Sequence, residues 1–167
     1  SAYPEAVREK DKDGNLPFHL AAAKTSSVEV LSALLSAYPE AVREKRNGGD
    51  LPLHLAALNN SSVEVLSALL SAYPEAVREK RDDGSLPLHL AAVNNTSVEV
   101  LSALLSAYPE AVREKRNDGN LPLHLAAAKA SSVEVLSALL SAYPEAVREK
   151  RNDGCLPLHL AAAKTSS

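Results

Sequence analysis

LPLHLAA stands at residues 51–57 and returns at 86–92, 121–127 and 156–162, with LPFHLAA at 16–22. The spacing is 35 residues every time. Working outward, SAYPEAVREK opens each copy, at Ser1, Ser36, Ser71, Ser106 and Ser141. The units are therefore 1–35, 36–70, 71–105, 106–140 and 141–167, the last incomplete. A fixed period of this length marks a solenoid, in which a unit that cannot bury its own apolar face buries it on its neighbours.

One unit, 36–70, sets the local expectations. Leu51-Pro52 opens a helix, because a proline at the first helical position gives up an N–H that has no partner there anyway. Leu53, Leu55, Ala56 and Ala57 make a short apolar face, and the alanine pair lets a neighbouring helix come close. Ser61 and Glu64 have capping-box spacing and predict the start of a second helix, VEVLSALLSAY. The same pair recurs as Ser26/Glu29, Thr96/Glu99 and Ser131/Glu134. Glu64, Ser67 and Ser71 fall on one narrow stripe, so the second helix is expected to be covered on most of its circumference. Tyr73-Pro74 ends it, since the residue before proline is pushed out of the helical region. PEAVREK then predicts either a very short third helix or an extended arm. A glycine closes each unit's turn, at Gly14, Gly49, Gly84, Gly119 and Gly154, which points to a positive φ. The fold class is all-α: a solenoid of stacked helix-turn-helix units.

These residues carry a resemblance. A turn with Gly, then LPLHLAA, a loop, S-x-E-V and a Leu pair resembles the ankyrin repeat, whose hallmark is T-P-L-H-x-A-A. The resemblance runs through every unit. It implies a paired-helix solenoid whose turns and first helices meet other proteins. Two departures stand out. Leu16, Leu51, Leu86, Leu121 and Leu156 replace the family's usual Thr, so the first helix lacks its side-chain cap. The unit is also longer than the usual repeat, with the surplus in the inter-helix loop and around YPEAVREK, so the family's hairpin arm is not expected. The tetratricopeptide repeat fits less well, because its Trp landmark is absent.

Chemistry is harder to find. The five histidines, His19, His54, His89, His124 and His159, are too widely spaced to share a metal: stacked helices lie roughly 8–10 Å apart, while two metal-bound nitrogens lie within about 4 Å. Each is expected instead to hydrogen-bond a neighbouring unit's backbone. Five near-equal environments give no single asymmetric constellation of the kind catalysis needs. The expectation is no enzyme, no cofactor and no metal. Bases in Arg43-Glu44-Lys45-Arg46 alternate with acids, no aromatic residue interleaves them, and the net charge is −3, so no nucleic-acid partner is expected. No apolar run is long enough to span a bilayer. The tyrosines, one per unit, are read as packing residues.

With a 46% apolar share the chain can build a packed interior. Cys155 is the single cysteine and predicts a reducing setting, cytoplasmic for a natural protein; for a designed one, recombinant production is the only setting. Lacking Met even at position 1, the chain is read as processed or trimmed. Cys155 follows the turn glycine, a position expected to be exposed, and serves as a candidate thiol handle.

Variation between units is confined to the turn and the inter-helix loop. By the resemblance, the candidate protein-contact face is Asn47, Asp50, Leu58, Asn59, Asp82, Ser85, Val93, Asn94, Asn117, Asn120, Ala128 and Lys129. The differences are mild, and hot-spot residues are scarce among them. Near identity points to recent expansion of one unit or to consensus design, and design is favoured. The function read from this is a non-catalytic structural scaffold without an evolved target; the alternative is a protein-interaction module. Neither end carries a polar cap, so end-to-end association, or a Cys155-linked dimer, is expected.

Overall fold

The computed structural model describes residues 4–24, 27–59, 61–94 and 96–164. Among them there is no strand, and the helices repeat in one order: a 3-10 turn, a short helix, a longer helix. The short helices are α1 (Pro17–Lys24), α3 (Pro52–Leu58), α5 (Pro87–Val93), α7 (Pro122–Ala128) and α9 (Pro157–Lys164). The longer ones are α2 (Val28–Ala37), α4 (Val63–Ala72), α6 (Val98–Ala107) and α8 (Val133–Ala142). The 3-10 turns, Pro4–Arg8, Pro39–Arg43, Pro74–Arg78, Pro109–Arg113 and Pro144–Arg148, resolve the two readings of PEAVREK: PEAVR is a tight helix, and the residues after it run extended.

Short helices stack on short helices, α1 on α3, α3 on α5, α5 on α7 and α7 on α9, and the longer helices stack in a second row outside them. The alanine pair explains the inner row. Ala56, Ala57, Ala91, Ala92 and Ala126 are buried completely, so nothing larger separates the backbones. The outer row corrects the expectation that the second helix is covered on most of its circumference. All of Pro52–Ala57 is buried, whereas α4 buries Val65, Leu66 and Leu69 and leaves Glu64, Ser67 and Ser71 exposed. A six-residue stretch with prolyl start and Ala-Ala finish is slim enough to be enclosed; a helix with a serine stripe keeps one edge in water.

The helix starts also differ from expectation. The cap is one residue later: Ser27, Ser62, Ser97 and Ser132 accept from Val30, Val65, Val100 and Val135 N–H. Ser61, Thr96 and Ser131 instead donate to the carbonyls of Ala22, Ala57 and Ala92 in the preceding unit, at 2.7, 3.1 and 3.2 Å. Two adjacent hydroxyls thus split the work, one capping the helix and one tying units together. Ser26 lies outside the described residues.

Candidate functional site: the turn and loop edges of the stack

The turn is built from the glycine upward. In residues 46–50, Arg46 N–H bonds Asp50 O and Gly49 N–H bonds Arg46 O, and the reversal is closed by Gly49 at φ +84°. That is left-handed space, where a side chain is disfavoured. Each turn then docks on the one before it. Asn47 N–H reaches Asp13 O at 3.1 Å, Asp82 reaches Gly48 O at 3.1 Å, Asn117 reaches Asp83 O at 3.1 Å, and Asn152 reaches Asp118 O at 3.3 Å. Asparagine side chains add a second rung: Asn47 Nδ2 donates to Lys12 O, Asn117 to Asp82 O and Asn152 to Asn117 O.

The residue after the glycine is buried, which corrects its expected exposure. Asn15, Asp50, Ser85 and Asn120 sit between turns, Asp50 at 2% exposure and Ser85 at 0%. Asp50 takes Arg46 Nε at 3.1 Å and, across the unit boundary, an Arg81 guanidinium nitrogen at 3.2 Å. A carboxylate held by two cations is part of the wall, and it is not available to a visiting protein. Three of the expected contact residues, Asp50, Ser85 and Asn120, therefore do not lie on the surface. Cys155 occupies the same position in the last unit. Among the described residues no further turn packs on it; it is half-buried, and its N–H bonds Asp153 Oδ1 at 3.0 Å.

The remaining expected contact residues form two rows. Asn47, Asp82 and Asn117 are exposed at the turns. Asn59, Asn94 and Lys129 are exposed at the inter-helix loops, beside half-buried Leu58, Val93 and Ala128. Even here the amides are engaged: Asn59 Nδ2 donates to Leu55 O at 2.9 Å, and Asn94 Nδ2 to Leu58 O of the preceding unit.

The histidines are locked. In His19, His54, His89 and His124, Nδ1 accepts the N–H of the leucine that opens the helix, at 3.1 Å. The proton must then sit on Nε2, which donates to Glu44, Glu79, Glu114 and Glu149 carbonyls in the next unit at 2.9–3.0 Å. The ring thus satisfies the N–H of Leu51 and its equivalents, whose own side chains cap nothing. Burial disfavours the imidazolium, lowering His54 and His89 to about 4. It lowers His19 and His124 in the same direction. With both nitrogens committed, none of these four rings is free to act as a base.

Charges are likewise shared between units. Lys10, Lys45, Lys80 and Lys115 pair with Glu44, Glu79, Glu114 and Glu149 at 2.9–3.0 Å. Arg8, Arg43, Arg78 and Arg113 lie over Tyr38, Tyr73, Tyr108 and Tyr143, 4.4–5.1 Å from the ring centroids. The exposed ion pairs are worth little individually, but they keep the stack in register. Sequence reasoning missed the Lys–Glu ladder, although a cation and an anion 34 residues apart in a 35-residue repeat was its signal. Among the described residues no group of three His, Cys, Asp or Glu side chains can hold a metal ion, and no helix is long and apolar enough to cross a membrane.

Comparison with known proteins agrees with this geometry. No curated protein matches the chain. The family model for ankyrin repeats (3 copies) matches residues 53–150 and 88–167, together more than half of the sequence. The chain belongs to the ankyrin-repeat family.

Proposed function

We propose that the chain is a non-catalytic structural scaffold of consensus character, a regular stack with no evolved target of its own. The observation that carries this reading is where the variable polar side chains go. Asn47, Asn117 and Asn94 donate to the preceding unit, Asn59 to its own helix, and Asp50 binds two arginines. Groups spent on holding units together have little left to recognise a partner, and a binding hot spot needs aromatic or arginine anchors that these rows lack.

The second reading is a protein-interaction module, favoured by the family itself and by the exposed row of Asn59, Asn94 and Lys129. One experiment separates them. The residues at 58–59, 93–94 and 128–129 are exchanged between units, and the stability and partner binding of the two chains are compared. A scaffold keeps its unfolding midpoint and shows no saturable partner. A partner bound more tightly than about 1 μM, and lost on exchange, overturns the scaffold reading.

A further inference from the structure

Each turn carries a pair of residues prone to ring closure. Four are Asp-Gly pairs: Asp13-Gly14, Asp83-Gly84, Asp118-Gly119 and Asp153-Gly154. Unit 2 has instead Asn47-Gly48, the one Asn-Gly pair in the sequence. In all of them the glycine main-chain nitrogen can attack the side-chain carbonyl carbon before it, because glycine has no β-carbon to block the approach. The turn geometry separates them.

In the Asp-Gly pairs the attacking nitrogen is occupied. Gly14, Gly84, Gly119 and Gly154 N–H close their turns, donating to Asp11, Arg81, Arg116 and Arg151 O at 2.9 Å. The Asp83, Asp118 and Asp153 carboxylates are occupied too, accepting Ser85, Asn120 and Cys155 N–H at 2.9–3.0 Å. In unit 2 the turn is closed by Gly49, one residue beyond the pair, whose N–H bonds Arg46 O at 3.1 Å. Gly48 N–H is therefore left over, and nothing among the described residues accepts it. Asn47 and Gly48 are both exposed. Beyond its chain neighbours, a Cβ on Gly48 would meet only Asp50 Oδ2, at 3.8 Å, so the pair has open space around it. Asn117 and Asn152 hold the same place in their turns, but Asp118 and Asp153 follow them and shield the nitrogen with a side chain.

We propose that Asn47 is a site of spontaneous modification in the folded protein, its amide lost through a cyclic imide closed by Gly48. The Gly48 nitrogen gives its proton to solvent and bonds Asn47 Cγ. The Cγ–Nδ2 bond breaks, and Nδ2 takes up a proton and leaves as ammonia. Water then opens the ring. Attack at Cγ gives aspartate, and attack at the Asn47 main-chain carbonyl carbon gives isoaspartate. Water is the only co-reactant.

The two products differ in what they do to the stack. Aspartate is tolerated, because Asp82 stands at this place in unit 3 and its N–H still docks on Gly48 O at 3.1 Å. Only the Asn47 Nδ2 bond to Lys12 O, at 3.3 Å, is lost. Isoaspartate routes the main chain through Cβ and Cγ and so inserts a methylene between residues 47 and 48. Both sides of that insertion are fastened: Asn47 N–H to Asp13 O in unit 1, and Gly48 O to Asp82 N–H in unit 3, each at 3.1 Å. Asn47 N also sits against Gly14, 2.9 Å from where a Cβ there would lie, so it has no slack on that side. The longer link must release one of the two fastenings, which loosens unit 2 from a neighbour.

The test holds the 167-residue chain in mildly alkaline buffer, folded or in guanidinium chloride, and counts the products at each turn by peptide mapping with electron-transfer fragmentation. Asn47 should convert to isoaspartate and aspartate, folded, within about threefold of its unfolded rate, since its turn is open to water. Folded Asn117 and Asn152 should convert at least about tenfold more slowly than Asn47, for want of a following glycine. Asp83, Asp118 and Asp153 should isomerise in denaturant and be protected at least about tenfold by the fold. Folded Asn47 more than about tenfold slower than unfolded, or Asp-Gly turns isomerising equally in both states, overturns the proposal. The isoaspartate form, isolated by chromatography, is then compared with Asn47→Asp, which has the same charge and an ordinary main chain. It should melt about 2–4 °C lower. Equal melting overturns the loosening of unit 2.

Discussion

Nε2 of His89 donates to the main-chain carbonyl of Glu114 at 2.9 Å, while Nδ1 of the same ring accepts Leu86 N–H at 3.1 Å. One side chain thus caps its own helix and fastens the next unit. Replacing it leaves a buried N–H and a carbonyl without their partner. His89→Ala should destabilise the chain by about 2–4 kcal/mol. His159 is exposed, and no described unit packs on it. His159→Ala should cost within about 1 kcal/mol. Urea unfolding followed by circular dichroism compares the two, and equal costs would remove the inter-unit role.

Acid should loosen the stack well before carboxylates protonate. An unfolded histidine titrates near 6.5, and His54 and His89 in the fold titrate at about 4. Between these values the unfolded chain binds more protons, so stability is full above pH 6.5 and falls as pH drops toward 4. Each of the two contributes about 2 kcal/mol of loss by pH 5. Melting midpoints across pH 4–7 check the sign; a flat profile would contradict it.

Asp82 interrupts the amide ladder. Its N–H still reaches Gly48 O, but a carboxylate has no proton to give to Asn47 O, as Asn117 gives to Asp82 O at 3.0 Å. Asp82→Asn should add that rung and stabilise by about 0.5–1.5 kcal/mol. A shift of the urea midpoint upward, without change of slope, is the expected result.

Gly84 and Gly154 share a positive φ, +82° and +85°, and differ in surroundings. A Cβ on Gly84 would lie 2.8 Å from Asn117 N; on Gly154 it would meet nothing within 4 Å. Gly154→Ala should cost about 1–2 kcal/mol, from backbone conformation alone. Gly84→Ala should cost about 1–3 kcal/mol beyond that, because the neighbouring turn must move. Paired unfolding curves separate strain from crowding.

Cys155 and Ser85 hold equivalent positions, one half-buried and one fully buried. Cys155 should react with a maleimide in native buffer. A cysteine placed by Ser85→Cys, in a chain whose Cys155 is replaced by Ser, should react only after unfolding. Mass spectrometry reads both, and equal native labelling would mean that the turn position is open throughout the stack.

Much of this was legible in the chain. The 35-residue period, Pro at the first helical position, Tyr-Pro at the helix end and glycine in the turn are local requirements, and local geometry satisfied each. The histidine's partner was legible as well, because a ring repeated once per unit has only a neighbouring backbone to meet. The candidate contact face was less so. Asp50 and Asn59 are both polar residues in variable segments, and nothing in their identity tells which one the next unit covers.

Sequence by itself determined that this protein is a stack of paired helices, because the 35-residue period and the apolar spacing leave each unit a face that only a neighbour can cover. Tertiary structure alone decided which row lies inside, which hydroxyl caps a helix and which crosses to the unit before, and which polar residues remain in water. Those choices rest on distances between residues about 35 positions apart, where Asp50 meets Arg81 and Ser61 meets Ala22. No local propensity carries that information, since it arises only when one unit comes to rest on another.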